Sequence, residues 1–241
     1  MPAQKTKSKL KKGGRTVNDL VFLEPNKIDA VPFTTSKVIS QFSGVAHKKI
    51  KIDIRKYESK FKTLGLLAPY ETESTGGRPE EIYRLNEPQA SFLMTLLKNT
   101  PVVVAFKFEL VKQFYAMRIE LTRRQLLRQQ LKPIRRELTD VINEVDPGRW
   151  SYKKYTNLAY KSAIGKNAAQ LRKDRGAPKK SKAIDFMTSQ EIEKVTHKQS
   201  QISVLCDMGL NYEQVKELVL NHMLLGNIGA SVAISNRWDD S

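Results

Sequence analysis

The sequence predicts a mainly α protein with one small β-hairpin, and three observations carry that prediction. Apolar residues recur at three- and four-residue spacing through most of the chain. Helix-start signals stand ahead of these runs: Thr34-Thr35-Ser36, Pro88, Thr100-Pro101, Thr188-Ser-Gln-Glu191 and Asn211-Tyr-Glu-Gln214. Only the stretch from residue 64 to residue 85 offers two short strand-like runs about a glycine-rich turn.

Residues 1–15 carry Lys5, Lys7, Lys9, Lys11, Lys12 and Arg15 and no acid. They read as a basic arm with nothing apolar to offset the entropy of ordering, either laid along phosphates or simply solubilising, and residues 16–30 as its lead-in. Thr34-Thr35-Ser36 supplies N-cap chemistry for a short helix with Val38, Ile39 and Phe42. Ser43-Gly44 turns the chain into a second helix over 45–57, whose Ile50 and Ile54 stand four apart on one face. Residues 64–70 and 82–85 read as strands flanking Glu73-Ser-Thr-Gly-Gly-Arg-Pro79, a wing-like hairpin in which Gly76 and Gly77 can take positive φ.

Pro88 suits the first turn of a helix carrying Phe92, Leu93, Leu96 and Leu97. Thr100-Pro101 opens a long helix to about residue 131, with Val103, Phe106, Leu110, Phe114, Met117 and Leu121 in heptad-like spacing. That seam fits either a second subunit or the core of its own domain. Pro133 is expected to break the helix. Beyond it come a helix with Ile134, Leu138, Val141, Ile142 and Val145, a basic and aromatic stretch over 150–175, and two capped helices. The expected organisation is an arm over 1–30, a winged helix-turn-helix-like domain over 31–131 ending in the long helix, a helical C-terminal domain over 132–225, and a tail over 226–241.

Forty-two Lys and Arg against 25 Asp and Glu give a formal net charge of +17. Such an excess favours a polyanion, with nucleic acid ahead of an anionic membrane surface or an acidic protein. The single cysteine, Cys206, excludes an internal disulfide and thiolate-pair metal sites, and three separated histidines offer no ligand spacing. No apolar run is long enough to span a bilayer, and the basic N-terminus has no signal-peptide core, so the expectation is cytoplasmic, with no membrane partner. Glycine loops of the phosphate-binding kind and nucleophile–base constellations are not found, so neither an enzyme nor a cofactor or metal is expected.

In a helix-turn-helix the first helix braces the backbone and the second enters the major groove. Ser40 and Gly44 supply the small residue and the turn glycine, and Phe42, Val45 and Ile50 would lock the pair. The candidate DNA-contacting residues are Thr35, Ser36, His47, Lys48, Lys49, Lys51, Arg55 and Lys56, with Arg78 at the hairpin tip. A candidate second basic surface comprises Arg149, Lys153, Lys154, Lys161, Lys166, Arg172 and Lys173, interleaved with Trp150, Tyr152, Tyr155 and Tyr160. Those aromatics either stack on bases or pack in the core. The alternative basic helix of an ordinary small domain is outweighed by charge and hairpin together.

The string Phe33-Thr-Thr-Ser36, followed by Val45-Ala-His-Lys-Lys-Ile50 and Asp53-Ile54-Arg55, resembles the start of the Rha family of phage regulatory proteins. The resemblance continues through Gly77-Arg78, Tyr83-Arg-Leu85 and the Phe106-Lys-Phe…Phe114-Tyr-Ala-Met117 stretch, covering about residues 31–121. Asn86-Glu-Pro-Gln89 replaces the family's acidic residue plus glycine, and Thr100-Pro101 replaces its Gly-Lys-x-Ala joint; both departures touch helix starts. Residues 154–172 resemble the second half of longer Rha-type proteins. The resemblance implies a phage or prophage regulator in the host cytoplasm, associated with the nucleoid and linked to the choice between lysogeny and lytic growth. Its expected partners are double-stranded DNA, a second copy of itself as a dimer, and, on the alternative antirepressor reading, a phage repressor protein. A virion-associated structural role has charge alone behind it.

Overall fold

The structure, a computed structural model, describes residues 19–24, 26–67, 69–71 and 80–226. Residues 1–18 of the basic arm, the hairpin tip with Gly76, Gly77 and Arg78, and the tail from residue 227 lie outside these. The protein is mainly helical with a small antiparallel sheet, as expected. It divides into two compact units that part between Ile119 and Glu120.

The first unit opens with strand β1 (Phe33–Thr35), which runs directly into helix α1 (Ser36–Ser43). Helices α2 (His47–Lys56) and α3 (Glu58–Thr63) follow, then strands β2 (Pro69–Glu71) and β3 (Glu81–Asn86) and helix α4 (Glu87–Leu96). The long helix α5 (Pro101–Val145) starts here and continues into the second unit. The sheet order is β1-β3-β2, with Phe33 opposite Asn86 and Pro69 opposite Tyr83. Strand β1 was not legible in the sequence: Thr34 sits inside it and is buried, so only Thr35 caps α1, its Oγ1 accepting the Val38 N–H at 3.2 Å. The expected strand over 64–70 shortens to β2, because the backbone around Gly65 is drawn onto α4 instead. Asn86 donates to the Leu64 carbonyl, and Gln89 donates to those of Phe61 and Gly65.

The core of this unit gathers Ile39, Ile50, Ile54, Phe61, Leu85 and Leu93 around Val103, Phe106, Leu110 and Phe114 of α5. The heptad-like seam therefore packs into its own domain. Phe42, expected to lock α1 onto α2, is instead 39% exposed; Ile39, one turn earlier, holds that place at zero exposure.

In the second unit, α5 from Glu120 onward joins helices α6 (Ser151–Ile164), α7 (Ala168–Asp174), α8 (Ser189–Asp207) and α9 (Tyr212–Gly226), with a 3₁₀ turn at Ala183–Phe186. Pro133 does not end the helix; it lies inside α5. Proline removes one backbone bond and crowds the preceding turn, a cost of about 3 kcal/mol. Burial of Leu131, Leu138 and Ile142 on either side offsets it, each worth roughly 1.5–3 kcal/mol. The capping boxes at Thr188–Glu191 and Asn211–Gln214 form as expected. Cys206 is a free, fully buried thiol whose pKa burial pushes up, a small hydrophobe in the core with Tyr155 and Ile202.

Candidate nucleic-acid interface

The pair α1–α2 is built on a tight turn at residues 44–46. Gly44 takes φ 71°, a left-handed conformation that disfavours any Cβ, and its N–H caps α1 at the Ser40 carbonyl. The Ser40 hydroxyl donates to the Val45 carbonyl at 2.7 Å, so both small residues read from the sequence close the turn. The inner face of α2 then buries Ile50, Asp53 and Ile54. By helical geometry the outer face presents Lys48, Ile52 and Arg55 along its midline, with Lys49, Lys51 and Lys56 at its flanks.

Three candidate contact residues do a different job. Ser36 is fully buried, and its Oγ accepts the Tyr83 N–H of β3 at 3.0 Å while meeting His47 Nε2 at 2.9 Å. The other ring nitrogen, His47 Nδ1, lies 2.9 Å from Glu80, whose carboxylate also takes Lys37. Thr35 is occupied as the N-cap. Thr35 thus holds the start of α1, whereas Ser36 and His47 tie the start of α2 to α1 and to the base of β3, and Ser36 is out of reach of a phosphate.

Of the cations, Lys49 bonds Asp53 at 2.8 Å and Arg55 pairs with Glu81. Lys37 and His47 hold the Glu80 carboxyl below the ordinary glutamate range; the Tyr83 hydroxyl first, then Arg55, does the same for Glu81. Among the described residues no carboxylate pairs with Lys48 or Lys56. Glu80 and Glu81 were not singled out from the sequence. Their signal was an acid pair directly ahead of a strand in a strongly basic region. Ile52, half exposed in the middle of the cationic face, was legible as the residue opposite Ile50 and Ile54. Arg78 lies outside the described residues.

Residues 34–119 match the family model for phage regulatory protein Rha. That segment of the N-terminal unit is similar to the Rha family. The match takes in the turn, both helices, the Ser36–His47–Glu80 linkage, the hairpin and the first part of α5, so every positioning contact described above falls inside the Rha segment. The match covers less than half of the chain and leaves the second unit outside it. No curated protein matches the chain.

Beyond the Rha-like segment, the second unit carries the other basic surface. Trp150 is 61% exposed, with the Arg149 guanidinium 5.4 Å and the Lys153 ammonium 5.1 Å from its ring. Tyr155 and Tyr160 are core residues, and Tyr152 accepts a bond from Arg135 at 2.9 Å. Two of the predicted cations are engaged: Lys154 with Asp146 and Lys166 with Asp174, each lowering its partner's carboxyl pKa. Lys153 and Lys161 are exposed on one face of α6, whereas Lys173 is exposed and Arg172 half-buried on α7. No group of three or more His, Cys, Asp or Glu among the described residues is placed to hold a metal, and no described helix is long and apolar enough to cross a membrane.

Proposed function

We propose that the Rha-like segment is the reading head of a phage regulator, with α2 entering the major groove of double-stranded DNA as the second helix of a helix-turn-helix. One observation carries the reading. α2 is anchored on one side by Ile50 and Ile54 and at its start by His47, and it turns a cationic face with no competing core contact outward. Lys48, Lys51, Arg55 and Lys56 are the contact residues, with Arg78 on the hairpin reaching an adjacent phosphate. The α6 and α7 cations add phosphate contacts. The role is binding without catalysis, in the host cytoplasm on nucleoid DNA, at the choice between lysogeny and lytic growth.

Fluorescence anisotropy on duplex DNA over a range of salt tests it. Replacing Lys48, Lys51 and Lys56 together by Gln lowers the slope of log affinity against log salt by about 3, since each lost phosphate contact removes roughly 0.9. Lys49→Gln, whose charge Asp53 already offsets, changes the slope far less. An unchanged slope in the triple variant rejects α2 as the reading helix. Exposed Ile52 in the middle of the face favours a second reading, capture of a repressor protein. A stoichiometric repressor recovered from lysogen extract, lost in Ile52→Glu, would establish that reading.

A further inference from the structure

Helix α5 carries two apolar stripes within the first unit. One is the buried seam. The other, rotated away from it by more than a quarter turn, consists of Val104, Phe108, Val111, Tyr115 and Ile119, each between 50% and 71% exposed. Their spacing of four, three, four and four residues is that of a helix seam with a facing helix, and each residue leaves at least half of its surface open.

We propose that this outer stripe is a two-fold interface in which α5 packs antiparallel against α5 of a second copy of this chain. Three features select a second copy over another occupant. First, the stripe is self-complementary about its midpoint. In an antiparallel pair centred between Val111 and Lys112, Val104 lies level with Ile119 of the second copy and Phe108 with its Tyr115, and the two Val111 residues are offset by only about 1.5 Å along the axis.

Second, the cations of the rim already have partners within the chain. Lys112 lies 3.6 Å from Glu109, Arg118 lies 3.5 Å from Glu87, and Lys107 donates to the Leu97 carbonyl and to Asn99. The rim therefore does not call for an acidic partner. The two-fold also sets Glu109 of one copy near the level of Lys112 of the other, so pairing brings opposite charges together. Third, the size fits. The five side chains expose on the order of 500 Å² of apolar surface, at the upper end of what a monomer tolerates. Pairing the stripe with itself buries on the order of 1,000 Å², the threshold for specific association.

The test uses the full chain, without nucleic acid, so its outcome is separate from that of the DNA reading. Sedimentation at tens of micromolar should show a dimer. A carboxylate placed in an apolar seam raises the dissociation constant by roughly 100-fold or more, so Phe108→Glu/Tyr115→Glu should sediment as a monomer with its helical circular dichroism intact. Single cysteines decide the geometry and disturb folding less, with Cys206 left in place and the unaltered chain as control. Oxidised Val111→Cys should cross-link to itself. Val104→Cys should not, its two copies being about 22 Å apart along the helix, but should cross-link when mixed with Ile119→Cys. A monomeric parent chain, a dimer insensitive to the double variant, or Val104→Cys linking to itself as readily as Val111→Cys would each overturn the proposal.

Discussion

Replacing Ser36 by alanine removes a single buried oxygen, yet that oxygen serves two partners. It accepts the Tyr83 N–H at the centre of the small sheet and meets the His47 ring at the start of α2. The cavity left by a hydroxyl is negligible, so the cost is the Tyr83 N–H stranded away from water, about 1–3 kcal/mol, plus the lost hold on His47. A total near 2 kcal/mol is expected, about 30-fold in an equilibrium constant. Because the chain has two units, a global melt mixes their transitions, and residue-resolved hydrogen exchange is the better assay. The Tyr83 amide should exchange about 30-fold faster in Ser36→Ala, while amides of α8 in the second unit keep their protection. His47 should also gain ring mobility by NMR. If the Tyr83 amide keeps its protection and His47 its rigidity, Ser36 is not the post on which α2 is mounted.

Other perturbations follow from equally local contacts. Gln89 is almost fully buried and bonds the Asn86 N–H and the carbonyls of Phe61 and Gly65, so Gln89→Leu should destabilise the first unit by about 3 kcal/mol; a shift in its urea midpoint of under a quarter of that would show water replaces the amide. Glu80 has a lowered pKa, so its contribution is present above the unfolded glutamate value of about 4.3 and is lost as pH falls through the depressed folded value. Protection of α2 amides, corrected for intrinsic exchange, should therefore fall on acidification in the parent chain and vary less in Glu80→Gln. Pro133→Ala restores a backbone bond within α5 and should stabilise the second unit by about 1–3 kcal/mol, read from Trp150 fluorescence during thermal unfolding. An unchanged or lowered midpoint would mean the helix depends on the proline's bend.

Local chemistry was legible, long-range partnership was not. Thr35, Gly44, Pro101 and the box at Thr188–Glu191 act within a few residues of themselves, and their roles read directly from spacing. Strand β1 escaped because three residues have no detectable period, and its identity depends on Leu85 and Arg84, some fifty residues away. Pro133 misled for a related reason: its penalty is local and visible, whereas the packing of Leu131, Leu138 and Ile142 that offsets it is tertiary. In the candidate site, the positive face of α2 followed from helical periodicity. Which of its polar residues point outward did not. Ser36 and His47 look like ideal phosphate ligands as letters, and only the position of Glu80 and Tyr83 beside them shows that they face the protein.

The bridge from Ser36 through His47 to Glu80 has a consequence for transplantation. The residues that would choose a DNA sequence form a contiguous peptide, and exchanging that peptide between regulators is the natural way to re-target one. Here the peptide is not portable by itself. Its aim is set by a serine on the preceding helix and by a glutamate and a backbone amide more than thirty residues downstream. A graft of residues 45–57 that leaves Ser36, Glu80 and Tyr83 behind would carry the letters of the code into a new scaffold without the angle at which they are presented.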